Sequence, residues 1–116
     1  MRSAAEALEA LLRGDAGWSR NRNFDFYASD EGRRVRRRAG FLRSIARVLA
    51  DANSGAGTVT VTRTSRSPRP VVVEVVRPGF RRRAFLEERE IALIARLFPA
   101  SASALARNAN EASQPA

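Results

Sequence analysis

Arg33, Arg36, Arg43 and Arg47 follow one another at intervals of 3, 7 and 4 residues. On a helix those intervals gather four guanidinium groups into one stripe, with Arg37 at its edge. A guanidinium is weakly hydrated and presents a planar fork of donors that matches phosphate oxygens. Arg63, Arg66 and Arg69 form a second group, and Arg81, Arg82 and Arg83 a third. The chemistry these residues point to is phosphate recognition. Each neutralised phosphate releases about one counterion, so several contacts give strong, salt-dependent binding. Phosphate contacts carry no base information, so no sequence preference follows from them.

The charge balance supports this reading. The 116 residues hold 21 basic side chains, all of them Arg, against 12 acids, for a formal net charge of +9. A bias in codon usage explains Arg in place of Lys, but not the excess of bases over acids. Residues 1–27 are net neutral, 28–54 carry +4, 55–83 carry +6 and 84–116 carry −1. The surplus therefore lies in the middle of the chain, as expected of a surface that meets a polyanion. The ordinary alternative is a solvated face with some Arg paired to Glu87, Glu88 and Glu90. Those few acids cannot neutralise the fourteen Arg of residues 33–83.

The inventory for catalysis is thin. There is no His and no Cys, hence no imidazole base, thiol nucleophile, disulfide, or metal site built on either residue. The remaining acid–base groups, Asp25, Asp30, Glu31, Asp51, Glu74 and Tyr27, are scattered, and GAG at 55–57 lacks the length and Lys of a phosphate-binding loop. Neither an enzyme, a cofactor nor a metal is expected. Glu74 is the single charge among valines and needs an Arg partner if covered; Arg63 on the facing strand is the candidate.

The aromatics are unevenly placed. Trp18, Phe24, Phe26 and Tyr27 alternate with Arg20 and Arg22. Such interleaving can stack the bases of a single strand, but a chain with eight aromatics needs most of them for its core, which is the stronger demand; Tyr27 and Trp18 are the two expected to stay partly exposed.

These residues must be positioned by an α+β scaffold. Residues 3–13 read as a short helix with Leu8, Leu11 and Leu12 on one face, stopped by Gly14. Phe24–Asp25–Phe26 alternate as a short third strand near 24–27 would; a loop pinned by its aromatics fits equally well. Residues 30–52 read as the longest helix, basic and amphipathic. Ser29 is its N-cap, Asp30 and Glu31 lie in its first turn, and Val35, Leu42, Ile45, Ala46 and Leu49 are on the side away from the Arg stripe. Arg34 and Arg38 fall nearer the apolar side and must snorkel or pair. Residues 58–64 alternate Thr and Val, and 71–77 are valine-rich on both faces; with SRSPRP between them they read as a β-hairpin. Pro78–Gly79 is a turn, residues 82–98 read as the C-terminal helix, and Pro99 stops it. The expected organisation is one small domain over 1–99 followed by a flexible Ala/Ser/Asn-rich tail over 100–116.

The order of two helical segments and a hairpin with an Arg- and Pro-bearing tip resembles a winged-helix or hairpin-arm DNA binder, which implies a basic wing on the backbone or minor groove. The chain departs from that pattern in the long irregular stretch 14–28, and only Gly40 could break the long helix into a helix-turn-helix.

The expected function is thus non-catalytic binding of nucleic acid, DNA or RNA, through Arg33, Arg36, Arg37, Arg43, Arg47, Arg63, Arg66, Arg69, Arg81, Arg82 and Arg83. The rival is a small assembly subunit, either a homodimer that buries the valine-rich strand or a binder of an acidic protein. Anionic lipid is a third option, disfavoured because the long helix has no Trp at a water boundary. No apolar run approaches the ~20 residues of a membrane span, and MRSAAEALEALLRGD has acids within its apolar stretch, unlike a secretory leader. A cytoplasmic location is therefore expected.

Overall fold

Ser3 opens the first helix, α1 (Ala4–Arg13), as its hydroxyl accepts the Glu6 N–H at 3.2 Å. Gly14 closes it in the left-handed region at φ 77°, donating its N–H to the carbonyls of Ala10 and Leu11. This computed structural model describes residues 3–15, 23–55 and 57–113, with side chains through Arg107. Trp18, Arg20 and Arg22 lie outside the described residues.

The chain divides into two compact units, residues 1–44 and 45–116. In the first, α1 is followed by α2 (Phe24–Ala28) and by the opening turns of α3 (Asp30–Ser54). The segment at 24–27 is thus one turn of helix, where a third strand was expected. The Phe-Asp-Phe alternation is three residues long, and the helix places Phe26 and Tyr27 edge-to-face, with ring centroids 5.3 Å apart. Tyr27 packs with Ala7 and Ala10 of α1 in a small core that Leu11, Phe26 and Val35 border.

Ser29 turns the chain from α2 into α3. Its hydroxyl donates to the Phe26 carbonyl at 2.5 Å and accepts the Gly32 N–H at 3.0 Å, the N-cap expected of it. The turn is tight enough that a Cβ on Gly32 would lie 1.8 Å from the Phe26 carbonyl oxygen. Helix α3 then runs unbroken through Gly40, so no turn splits it into the two short helices of a helix-turn-helix.

The second unit opens on the last turns of α3. Ile45, Ala46, Leu49 and Ala52 are buried there. An antiparallel sheet follows, in the order β1 (Thr58–Arg63), β2 (Val71–Arg77), β3 (Phe80–Leu86). The hairpin of β1 and β2 stands as expected. Its loop is closed by the Thr64 N–H on the Pro70 carbonyl at 2.8 Å, and the Ser67–Pro68 peptide within it is cis.

The third strand is β3, whose residues 82–86 the sequence reading gave to the C-terminal helix. Arg77 faces Phe80 across Pro78–Gly79, with Gly79 at φ 73°. The turn therefore returns the chain along β2 and gives that strand a partner on each side. The last helix of the expected scheme shortens to α4 (Glu88–Leu97). Glu87 and Glu90 start it with a reciprocal capping box: the Glu87 side chain accepts from the Glu90 backbone, and the Glu90 side chain accepts the Glu87 N–H at 2.8 Å.

Pro99 does stop α4, but it also begins α5 (Pro99–Ser113), which replaces the tail expected from residue 100. Ser101 and Ala104 are buried, and the Ser101 hydroxyl donates to the Ala46 carbonyl at 2.6 Å. The Ala/Ser composition that suggested a tail is also what lets a helix lie close against its neighbours. The fold class is α+β, with helices and a three-stranded antiparallel sheet. No helix among the described residues is long and apolar enough to cross a membrane.

Candidate nucleic-acid interface

In the first unit, α3 carries the largest group of exposed cations. Ala39 and Leu42 are buried, while Arg33, Arg34, Arg36, Arg37 and Arg43 are exposed. This is the amphipathic division that the spacing implied. Arg33 to Arg43 covers about 15 Å of helix axis at 1.5 Å per residue.

The five are not equivalent. Arg33 turns back to Asp30 at 2.6 Å. The Arg36 guanidinium lies over the Tyr27 ring, 5.3 Å from its centroid. Burial pushes the Tyr27 phenol above its ordinary value of 10.0, and the charge of Arg36 partly offsets that rise. Arg43 donates to the Leu11 carbonyl, near the C-terminus of α1, where the helix dipole favours a cation. Arg34 and Arg37 have no ion pair or hydrogen bond among the described residues. Arg38 is half-buried with its guanidinium 4.7 Å from the Phe41 centroid, the snorkelled arrangement expected of it; Arg34 is exposed instead.

Arg33, Arg36 and Arg37 line an open groove of about 430 Å³. A second hollow of about 260 Å³ shares Arg33 and Arg36 and adds Phe24, Tyr27 and Ala28. Phe24 is 61% exposed, so its ring is not core filling. The sequence reading put most of these aromatics in the core and expected Tyr27 and Trp18 to be the partly exposed ones; Tyr27 is instead buried, and Phe24 is the exposed ring.

In the second unit Arg47, on α3, is exposed and unpaired among the described residues. The remaining Arg are sorted by the sheet. Strand alternation and register put Val59, Val61, Val71, Val73, Val75, Ala84 and Leu86 on one face. The other face has three rows: Thr62, Val72 and Phe85; then Thr60, Glu74 and Arg83; then Thr58, Val76 and Arg81. Arg81 and Arg83 therefore share a face, and Arg82 stands on the opposite one, half-buried.

The expected pairing of Glu74 with Arg63 does not occur. Glu74 faces Thr60 on β1 and Arg83 on β3. It takes Arg81 at 2.9 Å and Arg83 at 3.4 Å. The Arg81 hydrogen bond holds its carboxyl below the ordinary 4.5, against partial desolvation. Arg63 lies opposite Val71, on the other face, and grips Glu88 through two bonds of 2.6 and 3.2 Å. That contact holds the Glu88 carboxyl down as well.

Arg66 and Arg69 sit in the exposed β1–β2 loop, where the Arg66 N–H bonds the Thr64 hydroxyl at 3.2 Å. The Arg66 guanidinium lies 5.7 Å from the centroid of the Phe85 ring. Arg69 has no ion pair or hydrogen bond among the described residues. The sequence reading missed Phe85 as a surface residue because it counted it in a helix. Among the described residues no group of three or more His, Cys, Asp or Glu side chains is placed to hold a metal ion. No family model, curated protein or solved structure matches the chain.

Proposed function

We propose that this protein binds nucleic acid without catalysing a reaction on it, holding the phosphate backbone through Arg side chains. The observation that carries the proposal is the group Arg34, Arg36 and Arg37 within one turn of α3. These groups are exposed and have no acidic partner among the described residues; Arg36 and Arg37 line the open groove, and Arg36 also borders the hollow that holds Phe24. A cation already neutralised by a carboxylate gains little from a phosphate; these gain the full interaction. Arg47 and Arg69 are further unpaired cations that contribute phosphate contacts.

The test is the salt dependence of binding to a mixed-sequence oligonucleotide, for the wild type and for Arg36→Ala/Arg37→Ala. Each lost phosphate contact lowers the slope of log K against log salt by about 0.7–0.9. The double variant is expected to flatten the slope by ~1.5 and leave the melting temperature nearly unchanged. An unchanged slope removes α3 from the interface.

A second reading is that of an assembly subunit, favoured by Val76 and Phe85, which are 42% and 37% exposed on the outer sheet face. Light scattering on nuclease-treated protein separates the two. A stable oligomer without nucleic acid favours assembly, whereas a monomer that copurifies with salt-releasable nucleic acid favours the polyanion reading.

A further inference from the structure

From the outer face of the sheet we infer that the ligand is single-stranded nucleic acid, with a base stacked on Phe85. The inference rests on the polyanion reading above and narrows it. Four observations place the base. The Phe85 ring is 37% exposed at the end of the sheet next to the β1–β2 loop. The Arg66 guanidinium already lies over that ring, showing that a flat cationic or aromatic group fits there. No acid lies in residues 63–73, which include the whole loop with Arg66 and Arg69. The one acid of the face, Glu74, is matched by two guanidinium groups, so the face stays positive overall.

The geometry suits an unpaired strand. Successive rows of a sheet face stand about 7 Å apart, so Arg83 is one row from Phe85 and Arg81 two. A base on Phe85 displaces Arg66 from the ring, and Arg66, on an exposed loop, takes a flanking phosphate. Arg83, the looser of the two guanidinium groups that share Glu74, lies toward the phosphate on the other side, where the pair keeps one surplus positive charge. Thr62 and Thr60 line the path with hydroxyls that donate or accept. A base stacks on an aromatic ring through its π-face, whatever its identity. In a duplex that face is covered by the neighbouring base pairs, so Phe85 distinguishes a single strand from a duplex where phosphate contacts alone do not.

The experiment compares a fluorescein-labelled oligothymidylate of about 12 nucleotides with a duplex of the same length. The proteins are the full-length wild type, Phe85→Leu and Phe85→Tyr. The expected result is an approximately tenfold loss of single-strand affinity in Phe85→Leu, equivalent to about 1.4 kcal/mol. Its duplex affinity should stay unchanged within about twofold, and Phe85→Tyr should retain binding. Equal single-strand binding by wild type and Phe85→Leu, or equal weakening on both ligands, overturns the stacking inference while salt-dependent binding keeps the broader reading. Failure of the wild type to bind either ligand at low salt overturns both.

Phe85→Trp gives a readout that does not depend on Phe85→Leu folding. Stacking of the oligothymidylate should quench its emission beyond the quench in the wild type, whose single tryptophan is Trp18. Absence of that excess quench overturns the inference, as does a wild-type dimer in light scattering whose dissociation Phe85→Leu promotes.

Discussion

The two units use the same residue type in opposite ways. In the first, the acids of α3 are confined to its opening turn, where Asp30 and Glu31 favour the helix dipole and Asp30 also holds Arg33. Beyond that turn Arg34 and Arg37 have no carboxylate to meet. In the second, cross-strand register brings Glu74 opposite Arg83, and Arg81 closes on the same oxygen. Arg63 is bound in the same way by Glu88. A helix separates unlike charges by turns and leaves its basic face unopposed, whereas a sheet sets residues distant in sequence side by side and lets one acid tie two bases. Counting Arg in a sequence thus overstates the cations available to a ligand, and more so in the sheet than on the helix.

The most severe way to break this contrast is to remove the turn that launches α3. A methyl group on Gly32 meets the Phe26 carbonyl, which is backbone and cannot swing aside. Gly32→Ala should cost at least the ~1–3 kcal/mol of an overpacked core and disturb the placement of Arg33, Arg36 and Arg37 with it. Thermal melting followed by circular dichroism checks the loss, and a melting temperature within a degree or so of wild type refutes the close approach. The next effect is smaller and separates the units directly. Arg81→Ala/Arg83→Ala leaves Glu74 without its partners on a mostly covered side chain, so it should lower the melting temperature. Arg34→Ala/Arg37→Ala removes no tie and should not. Equal losses in the two double variants would mean that the distinction between tied and unopposed Arg is wrong.

The parts of the fold legible in the sequence were those set by local chemistry. Gly14 stops α1, Ser29 caps α3, and the Thr/Val alternation of β1 lies beside the valine-rich β2. What escaped was decided by contacts far along the chain. Phe80–Leu86 reads equally well as helix, because Arg, Ala and Leu are good helix formers. Its strand identity comes from the open side of β2 and from the two-residue turn at Pro78–Gly79. In the sequence Pro99 signals the end of α4, yet proline suits the first turn of a helix as well, and α5 starts on it. The burial of Ser101 on the Ala46 carbonyl could not be seen from a stretch of small polar residues. At the candidate site the helix face was legible from spacing. The sorting of Arg81 and Arg83 from Arg82, and the choice of partner for Glu74, required the register.

The mildest test turns on pH. Arg81, with Arg83 in support, holds the Glu74 carboxyl below its ordinary 4.5 in the folded chain, while the unfolded chain returns it to that value. A depressed carboxylate pKa stabilises the fold above the unfolded value, and that contribution fades as pH falls through the folded one. Wild-type stability should therefore drop below about pH 4.5 in part through Glu74. Glu74→Gln should be less stable near neutral pH and lose less on acidification, so that the two melting curves converge toward low pH. Glu88 is held down by Arg63 and titrates in the same window, so the comparison is cleanest with Glu88→Gln as a common background. The substitution also releases Arg81 and Arg83, and so it should steepen the salt dependence of nucleic-acid binding by up to about two contacts' worth, ~1.5 in slope. A gain in slope with a loss in stability is the joint signature of a base pair of guanidinium groups moved from holding the sheet to meeting phosphate. Parallel melting curves for the two proteins, with the slope unchanged, would place Arg81 and Arg83 outside both roles.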